Sequence, residues 1–214
     1  MKIKTPFFII DIEWLFLIIL FIFIFSDKVK KFLISFYICY LFIVFHEFSH
    51  IFIATILGKN IEILKITLSG VCINLKKEKY NLCDNKNNKI ENLKNILIYI
   101  VGPISNLILA NIFSNIEMIY QINIFLAIVN LLPLFPLDGY NILLNILRYF
   151  KINEIIIEII LKTLIYVIYF LLIILGILQI ILVKNISLVI FMVYLFLLQN
   201  TNNNNKKKYR IHKA

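Results

Sequence analysis

Two of the three histidines in this 214-residue chain stand four residues apart with a glutamate between them, in the segment FHEFSHIF: His46, Glu47 and His50. On a helix, positions i and i+4 share one face about one turn apart. Two imidazoles so placed can hold one Zn²⁺ from the same side. Glu47, one residue further round, can then reach the water that completes the metal's shell and act as its general base. Chance accounts poorly for the motif: with so few histidines, composition yields an H-E-x-x-H match on the order of 0.002 times in such a chain. A lone histidine on an apolar helix is ordinarily a hydrogen-bonded core residue. A charged residue deep in a span costs about 2.5–3.5 kcal/mol and usually marks function. His46 lies about 16 Å in from Leu57, where its apolar run ends.

A catalytic zinc usually takes three protein ligands and keeps one position for water. Among the few remaining acids Asp138 stands out, because it closes an apolar run in NLLPLFPLDGY. Pro133 and Pro136 each remove a backbone donor and disfavour helix in the preceding residue. The run is therefore expected to open into extended chain before Asp138, with Gly139 permitting a sharp turn after it. Irregular backbone at membrane depth survives only when buried in protein or lining a wet cavity, so this segment reads as a cavity wall carrying a carboxylate. Two other readings compete. Glu154 and Glu158, spaced i, i+4, could supply the third ligand of a different membrane zincin, although they sit in an amphipathic approach to the next apolar run. A non-enzymatic metal carrier or membrane partner would need polar residues along a path across the bilayer, and the outer halves of the spans are almost wholly apolar.

The elements that position these residues follow from composition. The chain is 61% apolar and only 16% charged, against roughly 45–50% and 25% for a soluble domain. Its mean hydropathy is +0.91. Apolar runs fall at 7–25, 32–57, 93–113, 118–137, 163–183 and 186–198, most of them near the ~20 residues that span a bilayer. The fold class expected is an all-α polytopic membrane protein of about six transmembrane helices. A small β-hairpin at the membrane face, over 61–75, is expected between the second and third, because that stretch is β-branched and partly alternating around Ser69-Gly70. One domain covers 1–199, followed by a basic polar tail over 200–214. The net charge of +10 records topology rather than nucleic-acid binding. With six spans, all lysines and arginines except Lys28, Lys30, Lys31 and Lys184 share one side, which places both termini in the cytoplasm. Asp11 and Glu13 interrupt the first run, which argues against a cleavable signal. Cys39, Cys72 and Cys83 form no pairing pattern and receive no role.

Three motifs in order resemble the site-2 protease family of intramembrane zinc metalloproteases, over about residues 40–140. They are His46–His50 followed by Ala54 and Gly58; Gly102-Pro103-Ile104-Ser105-Asn106; and Asn130-x-x-Pro133-x-x-Pro136-Leu137-Asp138-Gly139. The resemblance implies Zn²⁺ on His46, His50 and Asp138, with Glu47 as catalytic base. It implies hydrolysis of a peptide bond in or near the membrane-associated segment of a protein substrate. The hairpin would then offer a strand edge to the unwound substrate. Asn130, Asn106, Gly70 and Pro133 become candidate substrate-binding residues, the two asparagines having interhelical hydrogen bonding as their other role. The compact layout is most similar to the sporulation branch, which implies the sigma-K precursor as substrate, membrane-embedded regulatory partners and the outer membrane of the forespore. Tyr140 departs from the second glycine frequent in the family. No nucleotide-sensing CBS domain is expected, since only a short tail follows Leu198.

Overall fold

The computed structural model describes residues 2–4, 9–12, 30–59, 61–67, 70–75, 89–197 and 199. Six helices lie among them: α1 (Lys30–Ile56), α2 (Lys89–Ile112), α3 (Glu117–Leu131), α4 (Asp138–Tyr149), α5 (Glu154–Val183) and α6 (Ser187–Leu197). Four strands join them: β1 (Lys2–Lys4), β2 (Ile9–Ile12), β3 (Ile61–Thr67) and β4 (Gly70–Leu75), in the sheet order β1-β2-β3-β4. β2 and β3 run parallel, with Asp11 opposite Lys65, and β3 and β4 run antiparallel, with Thr67 opposite Gly70. The chain divides into two compact units, residues 1–130 and 131–214.

In the first unit α1 and α2 pack antiparallel, and one line of contacts down their interface shows it. Lys59 pairs with Glu91 and the Lys94 ammonium donates to Leu57 O at one end. His50 meets Ile98 and Ser49 meets Ser105 in the middle, and the rings of Phe42 and Phe113 touch edge-on at the other end. No proline or glycine interrupts 30–56, so α1 runs unbroken until Gly58 ends it. Gly58 takes φ +78° and its N–H donates to Thr55 O, while Lys59 N–H reaches back to Ala54 O. These two bonds satisfy carbonyls that the helix end would otherwise leave open. The outward face of α1 carries Leu41, Phe45, Phe48, Phe52 and Ile56, all exposed, at helical spacing. Its inward face carries His46 and His50 beside Tyr40, Phe42 and Ala54. Large apolar side chains outside and buried histidines inside are the pattern of a helix solvated by lipid.

The second unit is built around Leu134, Ile165 and Leu195, with Leu137, Tyr140 and Phe191 packed against them. α4 turns into α5 through Lys151 at φ 57°, and the Asn153 side chain caps α5 by accepting from Ile155 N–H. The Arg148 guanidinium clasps both oxygens of Glu154 across that turn, at 2.9 and 3.0 Å. α6 returns beside α5 at Gly176, where an added Cβ would meet Val189 at 3.1 Å.

Among the described residues three helical segments are long and apolar enough to cross a bilayer: Ile34–Ile56, Lys89–Ile112 and Glu154–Val183. The other expected spans take different shapes. Residues 9–12 of the 7–25 run are strand, their isoleucine backbone pairing with β3. Residues 13–29 lie outside the described residues, as do 76–88 and nearly all of the tail. The 118–137 run is helical only to Leu131, because Pro133 and Pro136 end it. The 163–183 run begins at Glu154, nine residues earlier, where the Asn153 cap and the Arg148–Glu154 pair start a helix whose first turns mix isoleucine with Glu154, Glu158 and Lys162. The 138–162 stretch contains α4, an amphipathic helix whose charged and apolar positions separate onto two faces.

Gly58 has open space where a Cβ would go, so its substitution isolates backbone strain. Gly58→Ala is expected to destabilise the detergent-solubilised protein by about 1–2 kcal/mol. Gly58→Asn is expected to recover part of that loss. Denaturant unfolding of the three proteins checks the order.

Candidate active site

Helix α1 turns His46 and His50 inward, 3% and 5% exposed. The two rings stand nearly perpendicular with centroids 4.7 Å apart, and their Nε2 atoms approach to 3.1 Å. The outer nitrogen of each ring is held by α2. Ile98 O lies 2.6 Å from His50 Nδ1, and a carbonyl only accepts, so this ring carries its proton on Nδ1 and turns an Nε2 lone pair toward His46. Asn106 Nδ2 lies 3.1 Å from His46 Nδ1. Glu47, half-buried, follows one position round the helix.

The rings fit there because α2 offers no side chain opposite them. A Cβ on Gly102 would stand 2.7 Å from His46 Cε1 and inside the contact distance of the His50 ring. Pro103, next in sequence, is buried and lacks the N–H an interior helical residue would contribute. One turn away Ser105 Oγ donates to Gly102 O at 2.7 Å, and Ser49 Oγ, 2.6 Å from His46 O and 3.2 Å from Ser105 Oγ, can give its one proton across to Ser105. These hydroxyls tie the two helices at the level of the imidazoles. Each residue of Gly102-Pro103-Ile104-Ser105-Asn106 except Ile104, which is exposed, thus has a visible part at this place.

In the second unit Asp138 is the first residue of α4 and half-buried. Carboxylates are stabilised at that end of a helix, where backbone N–H groups point outward. Leu137 precedes it in extended conformation, φ −67° and ψ 161°, so the chain reaches the aspartate without helix. Gly139 is buried so tightly that a Cβ would collide with the backbone carbonyls of Leu131 and Leu132, the latter at 2.6 Å. A glycine there is a steric requirement of the bend. Burial pushes the Tyr140 phenol above its usual range, with Arg148 partly opposing and Glu158 adding to the rise, so its hydroxyl is neutral at physiological pH.

The remaining sequence candidates are placed as follows. Asn106 lies wholly inside, on the far side of the His46 ring from the Nε2 that approaches His50. Asn130 donates from Nδ2 to Leu126 O of its own helix at 3.0 Å. Pro133 stands in the link between α3 and α4, and Gly70 opens β4. Glu154 and Glu158 both enter surface ion pairs, with Arg148 at 2.9 Å and with Lys162 at 2.8 Å. Glu158 is 63% exposed, which is the environment of a solvated charge rather than a buried ligand. The contributions of Gly102, Ser49, Ser105 and the Ile98 carbonyl were not legible beforehand. Small residues carry no chemical signature, and a main-chain carbonyl has no sequence identity at all.

Comparison with known proteins concerns the family and the fold. The sequence profile of Peptidase family M50 matches residues 111–175, the stretch that contains Asp138. The fold is similar to the solved structure of the Site-2 Protease from Methanocaldococcus jannaschii, with a TM-score of 0.57 and 19% identity over 92% of each chain. No curated protein matches the sequence.

If Gly102 exists to leave room for the rings, Gly102→Ala should weaken binding of a divalent probe such as Co²⁺ by about tenfold or more. Gly176→Ala, a milder insertion between α5 and α6 that meets Val189 at 3.1 Å, should leave it unchanged. Competition against a chromophoric chelator measures both.

Proposed function

We propose that this chain is an intramembrane zinc metalloprotease of the site-2 protease kind. It would hydrolyse a peptide bond in or near the membrane-associated segment of a protein substrate. The observation that carries the reading is the 3.1 Å separation of two buried Nε2 atoms on a membrane-length helix, with Glu47 between their residues. Two imidazoles bound to one tetrahedral ion at ~2.05 Å would hold their nitrogens about 3.3 Å apart, so the pair already has the spacing zinc requires. The profile match over the aspartate segment and the likeness of fold support the same reading.

His46 and His50 would hold the metal through Nε2, with Asp138 as the third ligand and one position left open. When bound, zinc polarises the scissile carbonyl and lowers the pKa of the attacking water toward ~7. Glu47 takes the proton that the water gives up and delivers it to the leaving amine nitrogen, so a single carboxylate serves as base and then as acid. α1 and α2 exclude bulk water from one side of the rings, since Ser49, Ser105 and Asn106 occupy the polar positions there. β4 is one edge of the sheet and packs against α1. A substrate unwound from its helix would add to that edge beside Gly70 and be held extended, with Asn130 and Pro133 near the scissile region as further candidates.

The topology that fits the charge distribution has both termini in the cytoplasm and an even number of crossings of a bacterial membrane. The compact sequence resembles stage IV sporulation protein FB. We therefore take the sigma-K precursor as first candidate substrate, membrane-embedded regulators as candidate partners, and the outer forespore membrane as candidate location.

Co-expression with the sigma-K precursor and reconstitution in vesicles test the activity. Glu47→Gln is expected to lower cleavage by about 10²- to 10⁴-fold with zinc content intact. Asp138→Ala should lose zinc, and Glu158→Ala should keep it. The reverse pattern in the last pair would replace the aspartate by a glutamate as third ligand. Cleavage by Glu47→Gln at the wild-type rate would remove the base.

A further inference from the structure

We infer that Tyr140 is the positioning residue of Asp138: its ring docks the start of α4 onto α5 and α6 and so aims the carboxylate. The inference rests on Asp138 being a metal ligand. A single methylene separates an aspartate's carboxyl from the main chain, so its oxygens go where the backbone and a few staggered rotamers allow. Leu137, in the N-cap position, has no side chain that could cap the helix and fix its first turn. The direction of residue 138 therefore has to come from its neighbours.

Three of four consecutive residues there are committed. Leu137 and Tyr140 both pack against the cluster of Leu134, Ile165 and Leu195, the last two of which belong to α5 and α6. Gly139 presses on the main chain of Leu131 and Leu132 too closely for a Cβ. At 3.6 residues per turn, residue 138 lies about 200° round the helix from residue 140. Docking the Tyr140 ring in the cluster thus turns the aspartate away from it. The same ring stands nearly perpendicular to Phe135, at 89° with centroids 5.7 Å apart, and so joins the link before Asp138 to the helix after it. Within that link Leu134 N–H donates to Leu132 O and Leu137 N–H to Leu134 O, both at 2.8 Å. The ring bridges a segment already closed by its own main chain. A glycine at 140, frequent in the family this chain resembles, would leave α4 to turn about its axis on the Leu137 contact alone. Tyr140 acts through Asp138 and touches neither metal nor substrate.

Cobalt reads the ligand geometry apart from activity. In the full-length protein in micelles, Tyr140→Gly should bind Co²⁺ about 10- to 100-fold more weakly and alter the visible absorption of the bound ion. Tyr140→Phe keeps the ring and should match wild type in both. Ile157→Ala opens a cavity at a buried position of α5 outside the cluster. It should lower the unfolding temperature and leave the cobalt spectrum as in wild type. A Tyr140→Gly protein with wild-type affinity and spectrum overturns the inference, and so does a Tyr140→Phe protein as weak as Tyr140→Gly. An Ile157→Ala protein that changes the spectrum as much as Tyr140→Gly overturns it also, since lost stability alone then explains the effect. Should Tyr140→Gly fail to fold, Tyr140→Leu, which fills volume without the edge contact to Phe135, takes its place. Weaker cobalt binding by Tyr140→Leu supports the inference, and wild-type binding overturns it. Wild-type protein that binds no cobalt, or Asp138→Ala protein that binds it as wild type does, overturns the ligand assignment and this inference together. Cobalt lost in Asp138→Ala but bound normally by Tyr140→Gly overturns only this one.

Discussion

Two imidazole nitrogens 3.1 Å apart on one buried helix face set the terms for everything packed around them. At that distance two lone pairs repel, and something positive must lie between them, a shared proton or a cation. A soluble protein could leave the outer ring nitrogens to water. Here the surroundings are helix and lipid, where an unpartnered polar group is costly. The neighbouring helix therefore supplies a partner to each ring, Ile98 O on one side and Asn106 on the other. Reaching them requires close helix approach, which Gly102 permits and which Ser49 and Ser105 fasten. The Lys59–Glu91 pair and the Lys94 contact to Leu57 O then fix the register at the polar end.

That constraint inverts the usual relation between residue type and burial. Phe48 and Phe52 are 59% and 64% exposed, whereas His46, His50, Ala54, Gly102, Asn106 and Ala110 are enclosed along the α1–α2 interface, together with Phe42, Ile98 and Pro103. Lipid is as apolar as a side chain, so helices in it gain nothing by hiding leucine from it. They gain by close packing and by hydrogen bonds between them. Small and polar residues at helical spacing therefore mark the interior of this unit, and the functional pair sits inside the same stripe that holds the helices together. The second unit follows ordinary core logic more closely, with Leu134, Ile165 and Leu195 enclosed. It spends its irregular backbone on the segment before Asp138.

The sequence carried the chemistry of the site more clearly than the geometry that supports it. His46, Glu47 and His50 are visible because their spacing has one chemical meaning, and Asp138 because Pro133, Pro136 and Gly139 bracket it with backbone requirements. Helix existence was legible from apolar runs, and the early stop of α3 from its prolines. The start of α5 at Glu154 was not, since Glu154, Glu158 and Lys162 break up its first apolar turns and it is the Asn153 cap with Arg148 that initiates it. α4 falls between the apolar runs because Asn141 and Asn145 interrupt its apolar positions instead of letting them gather. The strand at 9–12 was hidden in an apolar stretch that hydropathy alone assigns to helix, and its partner β3 lies fifty residues away. Local pattern fixes local structure, and pairing at that range leaves no local trace.

The way likeness to known proteins is distributed along the chain has the same physical origin. The family profile matches residues 111–175, while the likeness of fold extends over 92% of the chain at 19% identity. On lipid-facing helix surfaces any large apolar residue serves as well as another, so the fold can persist while identities drift. Around Asp138 the choices are narrow: a Cβ at 139 would strike main-chain oxygens, and a helix continuing past Leu131 would carry the aspartate out of its bend. Backbone collisions cannot be relieved by repacking side chains, because the obstructing atoms belong to every residue type. The stretch that the profile matches is thus one where main chain meets main chain. By the same reasoning Gly102, which faces two imidazole rings rather than backbone, is constrained by the chemistry of those rings. A chain that kept this fold while giving up the histidine pair would be free to replace it.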